Sequence, residues 1–338
     1  SAIAHIEGGF KNASRDLVTQ IAMQTQFPLP FFTNDPLREF PVQSLLFRAR
    51  ASMTRREAAE ACRYAEIIYE IAEMLARKLT AIPVILPTKN ADPATAAMQT
   101  RLAMQFPHEE PIPHLINAAE RLGVLVLALP AALSGRDAFV VWVERDSGPV
   151  PLLAISKDRP GDRLRMSVAH ELGHLTMRHS PNFDPEQEKE AYAFAAELLM
   201  PALAMRREIT NPVTLSSIAV LKTRWRVSIQ SIIRRAFDLH LISDRQYRYL
   251  FEQLSIKGWK TREPINLDIP AEKPRGLKQM AELVYGKPMD YDKIPADLHV
   301  GASFFKEVME GYAEAAGTEE RYDDSSVRVI PFAKPARD

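Results

Sequence analysis

The sequence predicts an α+β fold that is mostly helical, and three observations predict it. Helical periodicity covers most of the chain; residues 124–156 switch to short β-branched and aromatic runs; and a helix carrying His170, Glu171 and His174 follows that switch directly. The 338 residues are 46% hydrophobic and 25% charged, enough for a sizeable core in about two domains. The 43 basic and 43 acidic residues cancel, so the whole molecule is not steered toward nucleic acid or a membrane. Cys62 is the single cysteine, which excludes an internal disulfide and a thiolate metal cluster and fits a cytoplasmic protein. The longest apolar run, VLVLALPAAL at 124–133, is too short to span a bilayer and is broken by Pro130. No signal peptide is expected at the N-terminus.

In chain order, residues 1–27 read as short helices, with Ser14 as an N-cap. FPLPFFTNDP ends that unit, and long helical periodicity spans 43–80. A proline-rich connector, 83–113, holds a helix near 93–105, and 112–123 is an amphipathic helix closed by Gly123. VLVLAL, AFVVWV and PLLAIS are three strands of a small sheet. The histidine helix comes next, then a loop with Pro181 and Pro185, then a helix over 186–200 stopped by Pro201. Three helical segments fill 203–256. The tail is proline-rich at first, then helical near 275–285 and 303–316, with a frayed end. This divides into 1–36, a helical linker region at 37–111, a core domain at 112–260 and a helical extension at 261–338.

The stretch SVAHELGHLTMRH, residues 167–179, carries the chemistry. Residues i and i+4 of a helix lie about 40° apart, so His170 and His174 point the same way. Leu164, Val168, Leu172 and Leu175 form an apolar stripe roughly opposite. Glu171 sits beside the histidines at a different angle, where it can act as general base on a water without ligating a metal. A hydrolytic zinc takes a third protein ligand and keeps a position open. The next helix offers Glu186, Glu188, Glu190 and Glu197. Ala191, Tyr192, Ala195, Leu198 and Leu199 fall on the face of Glu188, whereas Glu190 and Glu197 fall on the far side and read as solvated. A carboxylate on a buried face is costly unless paired or metal-bound, so Glu188 ranks first as third ligand and Glu190 second. The competing reading is a core helix with two fortuitous histidines. His179, five residues past His174, either touches substrate or merely ends the helix. His5, His108, His114, His240 and His299 stand alone and read as structural.

GDRLRMSVAHELGHLTMRH followed by EKEAYAFAAELLMP resembles the ImmA/IrrE metallopeptidase domain, also called DUF955. The pattern Glu-x-x-Ala-x-x-Phe-Ala…Leu-Leu-Met-Pro falls on Glu188, Ala191, Phe194, Ala195 and Leu198 to Pro201. The resemblance implies a gluzincin-like fold, one Zn2+ per chain on His170, His174 and Glu188, and Glu171 as general base. Tyr192 stands where the family carries Asp or Asn, so the support of a ligand differs here; Tyr192 and, from its own position, His179 are the candidates for supporting a ligand or contacting substrate. EEPIPHLINAAERLGVLVL resembles the family's lead-in helix and first strand, and residues 221–250 its trailing helices. SAIAHIEGG resembles the recognition helix of an XRE-type helix-turn-helix domain lacking its first two helices, with Ser1, Ile3 and His5 as the candidate DNA contacts.

The resemblance implies a cytoplasmic regulator beside stress or toxin–antitoxin genes, whose partner is a protein substrate such as a repressor or antitoxin. A homodimer and DNA binding are compatible with it; a membrane partner is not expected. The alternative is a DNA-binding regulator whose peptidase-like domain senses a metal, ligand or partner without proteolysis. Arg48, Arg50, Arg55 and Arg56 form the one basic cluster near the N-terminal region, read as a solvated helix face in preference to a phosphate contact. VSIQSIIRRAF at 227–237 mimics a recognition helix but reads as packing.

Overall fold

A computed structural model describes residues 5–6, 10, 12–33, 54–79, 83–88, 91–129, 138–144, 148–156, 159–180 and 184–313. The N-terminal half contributes α1 (Arg15–Thr25), α2 (Pro30–Thr33), α3 (Arg55–Ala76), α4 (Pro93–Ala103) and α5 (Leu115–Arg121). The strands β1 (Leu125–Leu129), β2 (Ala138–Val143) and β3 (Val150–Ser156) follow. The helices α6 (Gly161–Thr176), α7 (Pro185–Leu199), α8 (Ala202–Glu208), α9 (Leu215–Trp225), α10 (Ile229–Asp238) and α11 (Asp244–Ile256) come next. The described chain closes with α12 (Gly276–Tyr285), α13 (Ile294–Leu298) and α14 (Ala302–Glu310). The α+β, mostly helical architecture is the one the periodicities predict.

The sheet runs β1-β3-β2, with β3 central. β1 pairs with it in parallel, Leu125 opposite Leu152, and β2 antiparallel, Val143 opposite Val150. Central β3 is apolar from Val150 to Ile155, as suits a strand covered on both faces. Leu153 and Ile155, with Val126 and Val140, join one core built from α4 to α11. Leu152 and Ala154 point the other way, with Leu127, Leu129 and Val143, into a second core formed by α3, α12, α13 and α14. The molecule is thus a three-layer stack, and segments more than a hundred residues apart in sequence clothe the second face of one small sheet.

Caps set several boundaries. Ser14, Asp92, Asp184, Thr214, Ser228 and Ser243 each accept a backbone N–H from the first turn of their helix. Two boundaries differ from the periodicity. The helix expected over 112–123 starts at Leu115, because Pro113 lacks an N–H and His114 is extended at the cap. The helix expected over 303–316 ends at Glu310; the chain turns at Gly311, and the buried Tyr312 hydroxyl accepts from Ala128 N at 3.1 Å and donates to Val126 O at 3.3 Å, along the outer edge of β1. Of the helix expected over 43–80, residues 43–53 lie outside the described residues, as does the expected frayed end.

The N-terminal helices touch the C-terminal one. Phe27 packs on Phe31 and on Phe304, with ring centroids 4.5 and 5.1 Å apart. A side chain at Gly301 would stand 2.3 Å from the Gln26 carbonyl oxygen, so only glycine permits this approach. No described helix is long and apolar enough to cross a membrane.

Candidate metal centre

Helix α6 is held at its N-terminal end from two sides. Gly161 donates its N–H to Ile269 O at 3.1 Å, and a Cβ there would meet the backbone of Ile269 and Pro270 within 2.6 Å. Asp162, in the first turn, complements the helix dipole and pairs with buried Lys222, which also reaches Glu263 at 2.8 Å. Burial pushes the Lys222 ammonium down, but its bonds to Asp162 and Glu263 outweigh that and hold it above its ordinary value. Buried Arg165 pairs with Glu272 and donates to Ile112 O at 2.7 Å. The apolar stripe Leu164, Val168, Leu172 and Leu175 is fully buried, while His170, Glu171 and His174 are buried on the other side of the helix.

Helix α7 starts at the Asp184 cap and Pro185 and lies against α6 through Ala191, Phe194 and Ala195. The glycine of HELGH allows the approach: a Cβ on Gly173 would sit 3.0 Å from Phe194 Cδ1 and 3.2 Å from Ala191 Cα. The C-terminal end of α7 is clamped by two buried arginines. Arg101 donates to Leu198 O at 2.6 Å, to Pro107 O at 2.5 Å and to Glu110 O. Arg235 donates to Met200 O at 2.9 Å and pairs with Glu197. Burial lowers the Arg101 guanidinium to about 10, well above neutral pH, so it stays a cation at the carbonyl end of the helix.

These two helices bring two imidazoles and one carboxylate together. His170 Nε2 and His174 Nε2 are 3.1 Å apart; Glu188 places one carboxylate oxygen 3.3 Å from the first and the other 3.5 Å from the second. Four-coordinate zinc with bonds of about 2.0–2.1 Å separates its donors by about 3.3–3.4 Å. The nitrogen–nitrogen separation and both nitrogen–oxygen separations lie close to that spacing, and the donor set of two imidazoles and one carboxylate is the chemistry of a hydrolytic zinc site. The residues present therefore fit the ion.

Residues 119–237 match the family model of the IrrE N-terminal-like peptidase domain. The family is zinc-dependent, and the IrrE-like segment contains His170, Glu171, His174 and Glu188 together with all three strands. No curated protein matches the chain. The helices that cover the second sheet face, α3, α12, α13 and α14, lie outside the IrrE-like segment.

The surroundings differ from the helical-wheel reading in four places. Tyr192 is on the predicted inward face yet is 60% exposed. Its ring lies 4.2 Å from that of His170, tilted by 48°, so it leans over the ligand pair from the rim. Glu197 is not solvated: it pairs with Arg235 and accepts Ala202 N at 3.0 Å, because α8 and α10 fold back over the end of α7. His179 does not simply end the helix. Arg178 takes a left-handed conformation (φ 56°), His179 N donates to His174 O, and the imidazole returns to put Nδ1 2.9 Å from His174 Nδ1. Glu190, the second-ranked ligand, is absent from the triad and lies with one carboxylate oxygen 3.2 Å from His179 Nε2. The only sequence signal for these contacts was His179 itself; the backbone reversal at Arg178, with its guanidinium 3.5 Å above the Trp142 ring, carries no periodic signature.

Ser1 and Ile3 lie outside the described residues, as do Arg48 and Arg50; His5 is exposed, edge-on to Phe10 at 6.4 Å. In α10, Ile229, Ile232, Ile233 and Arg235 are buried, so that helix packs in the core.

Proposed function

We propose that this chain is a zinc-dependent endopeptidase-type transcriptional regulator that cleaves one specific repressor or antitoxin protein. The observation that carries this reading is the gathering of His170 Nε2, His174 Nε2 and the Glu188 carboxylate at separations of 3.1, 3.3 and 3.5 Å, with Glu171 buried next to the first of these residues. Zinc bound there would supply Lewis acidity toward a peptide carbonyl and acidify a water. His170 and His174 hold it through Nε2, and Glu188 completes the set while remaining partly open to solvent. Glu171 takes the proton from the attacking water and passes it to the departing amine. Tyr192, exposed and stacked near His170, would contact substrate, a role that its position at the rim supports.

The test is Glu171→Gln, which preserves shape and ligands but removes the proton acceptor. Zinc content and fold stay as in wild type, while cleavage of the cognate repressor falls by roughly 10²–10⁴. Each form is incubated with small repressors encoded beside this gene, and fragments are followed by mass spectrometry. Cleavage that persists in Glu171→Gln overturns the general-base assignment. If wild type cleaves none and regulation survives in Glu171→Gln cells, the chain is instead a DNA-binding sensor. One observation favours that second reading: Phe27, just past α1, packs on Phe304, and Gly301 at the start of α14 admits the Gln26 carbonyl, which ties the segment that resembles the end of an XRE-type domain to the second core.

A further inference from the structure

The ligand His174 has a second nitrogen, and it does not face solvent. His174 Nδ1 lies 2.9 Å from His179 Nδ1, and on the far side of that second ring Glu190 stands 3.2 Å from His179 Nε2. The His179 side chain is 5% exposed and the Glu190 side chain 47%, so the row runs from the buried ligand to the surface. We infer that His179 and Glu190 are positioning residues that set the tautomer and orientation of His174 for metal binding. The inference rests on the proposed metal site and deepens it.

The argument is one of proton counting. Two imidazole nitrogens that hydrogen-bond to each other share one proton. A neutral His174 that gives its Nε2 lone pair to a cation carries its proton on Nδ1. His179 Nδ1 must then accept, which leaves the His179 proton on Nε2, the nitrogen beside Glu190. The carboxylate favours a proton on that nitrogen through its charge, at ion-pair distance. Glu190 therefore selects the His179 tautomer that accepts, and His179 selects the His174 tautomer that ligates. The reversed arrangement puts the His174 proton on Nε2, pointing at His170 Nε2 and Glu188, where it blocks the metal. Outer carboxylates and histidines of this kind raise the basicity of a ligand and fix its ring plane.

The backbone builds the row. His179 reaches back only because Arg178 turns left-handed, and Glu190 faces it because α7 lies close along α6 at Gly173. His170 carries Tyr192 at its ring face, with ring centroids 4.2 Å apart.

The experiment uses the full chain and zinc itself, with affinity read by competition against a chromophoric chelator. His179→Ala is expected to lose about 10–100-fold in zinc affinity. Glu190→Gln, which keeps the shape and removes the charge, is expected to lose several-fold. Glu186→Gln, a carboxylate on the same helix paired with Lys189, serves as a control and leaves affinity unchanged. Long-range proton–nitrogen spectra of histidine-labelled, zinc-loaded protein should find the His179 proton on Nε2, and a smaller Nε2 population in Glu190→Gln. If His170→Ala binds zinc as tightly as wild type, the metal reading itself fails. If His170→Ala loses zinc while His179→Ala and Glu190→Gln keep wild-type affinity, the metal site stands and the positioning role is overturned. A His179 proton on Nδ1, or an equal loss in Glu186→Gln, overturns it too.

Discussion

Gly173 shows how much a single residue decides at this site. Glycine inside a helix costs about 1 kcal/mol relative to alanine, so its use here needs a compensating contact. That contact is the close passage of α7, with Ala191 Cα and Phe194 Cδ1 standing where a Cβ would press. Gly173→Ala is therefore expected to gain helix propensity while pushing α7, and with it Glu188, outward by a few tenths of an ångström. Stability and metal binding should part company: thermal midpoint nearly unchanged, zinc affinity reduced. Unaltered affinity in a chelator competition would mean that α7 is not held at its distance by this glycine.

At the scale of elements, the site depends on where α7 ends as much as on where it begins. Helix carbonyls at a C-terminus lack intrahelical partners, and here Arg101 and Arg235 supply donors from α4 and α10. Arg101→Ala leaves the carbonyls of Leu198, Pro107 and Glu110 without their shared donor and opens a void at a fully buried position. The expected cost is on the order of 3 kcal/mol in denaturant unfolding, accompanied by weaker zinc binding because Glu188 rides on the same helix. Arg207→Ala removes an exposed pair with Glu109 and should change stability by less than about 1 kcal/mol. Comparable losses in the two variants would contradict the clamp.

Across the whole molecule, the two cores meet at the sheet, and Glu120 joins the IrrE-like segment to the helices beyond it. Its carboxylate accepts the N–H groups of Gly276 at 2.8 Å and Arg275 at 3.1 Å, capping α12 from a distance of more than 150 residues. Burial pushes Glu120 up to about 7, only partly opposed by those N–H groups and the Arg275 charge; Tyr312, whose own hydroxyl is raised by burial, feels the same carboxylate. The folded protein thus holds a proton that the unfolded chain releases near its ordinary value of 4.5. The associated stability is complete below that value and is lost as pH rises through about 7. Unfolding of metal-free protein at pH 5 and pH 8 should show wild type losing more stability than Glu120→Gln, by roughly 1–3 kcal/mol. Parallel pH slopes would show that the cap is already charged at pH 5.

The sequence by itself determined most of the elements and which residues to weigh as metal ligands. Strand and helix periods are written in consecutive residues: HELGH puts His170 and His174 on one helix face, the wheel puts Glu188 on the face of Ala191, Ala195 and Leu198, and the runs VLVLAL, AFVVWV and PLLAIS mark three strands. Local covalent geometry suffices for such assignments. Only the tertiary structure decided that His179 turns back to His174, that Glu190 stands beside His179 and outside the His170–His174–Glu188 group, and that Glu197 is paired with Arg235. It also decided that α3 and α12 to α14 clothe the second face of the sheet. Each of these joins groups on different elements, or across a left-handed reversal at Arg178, where no repeat in the sequence records which surfaces meet. Their partners are chosen by the packing of whole faces, in which an outward-pointing carboxylate is solvated or paired according to what the rest of the chain brings against it.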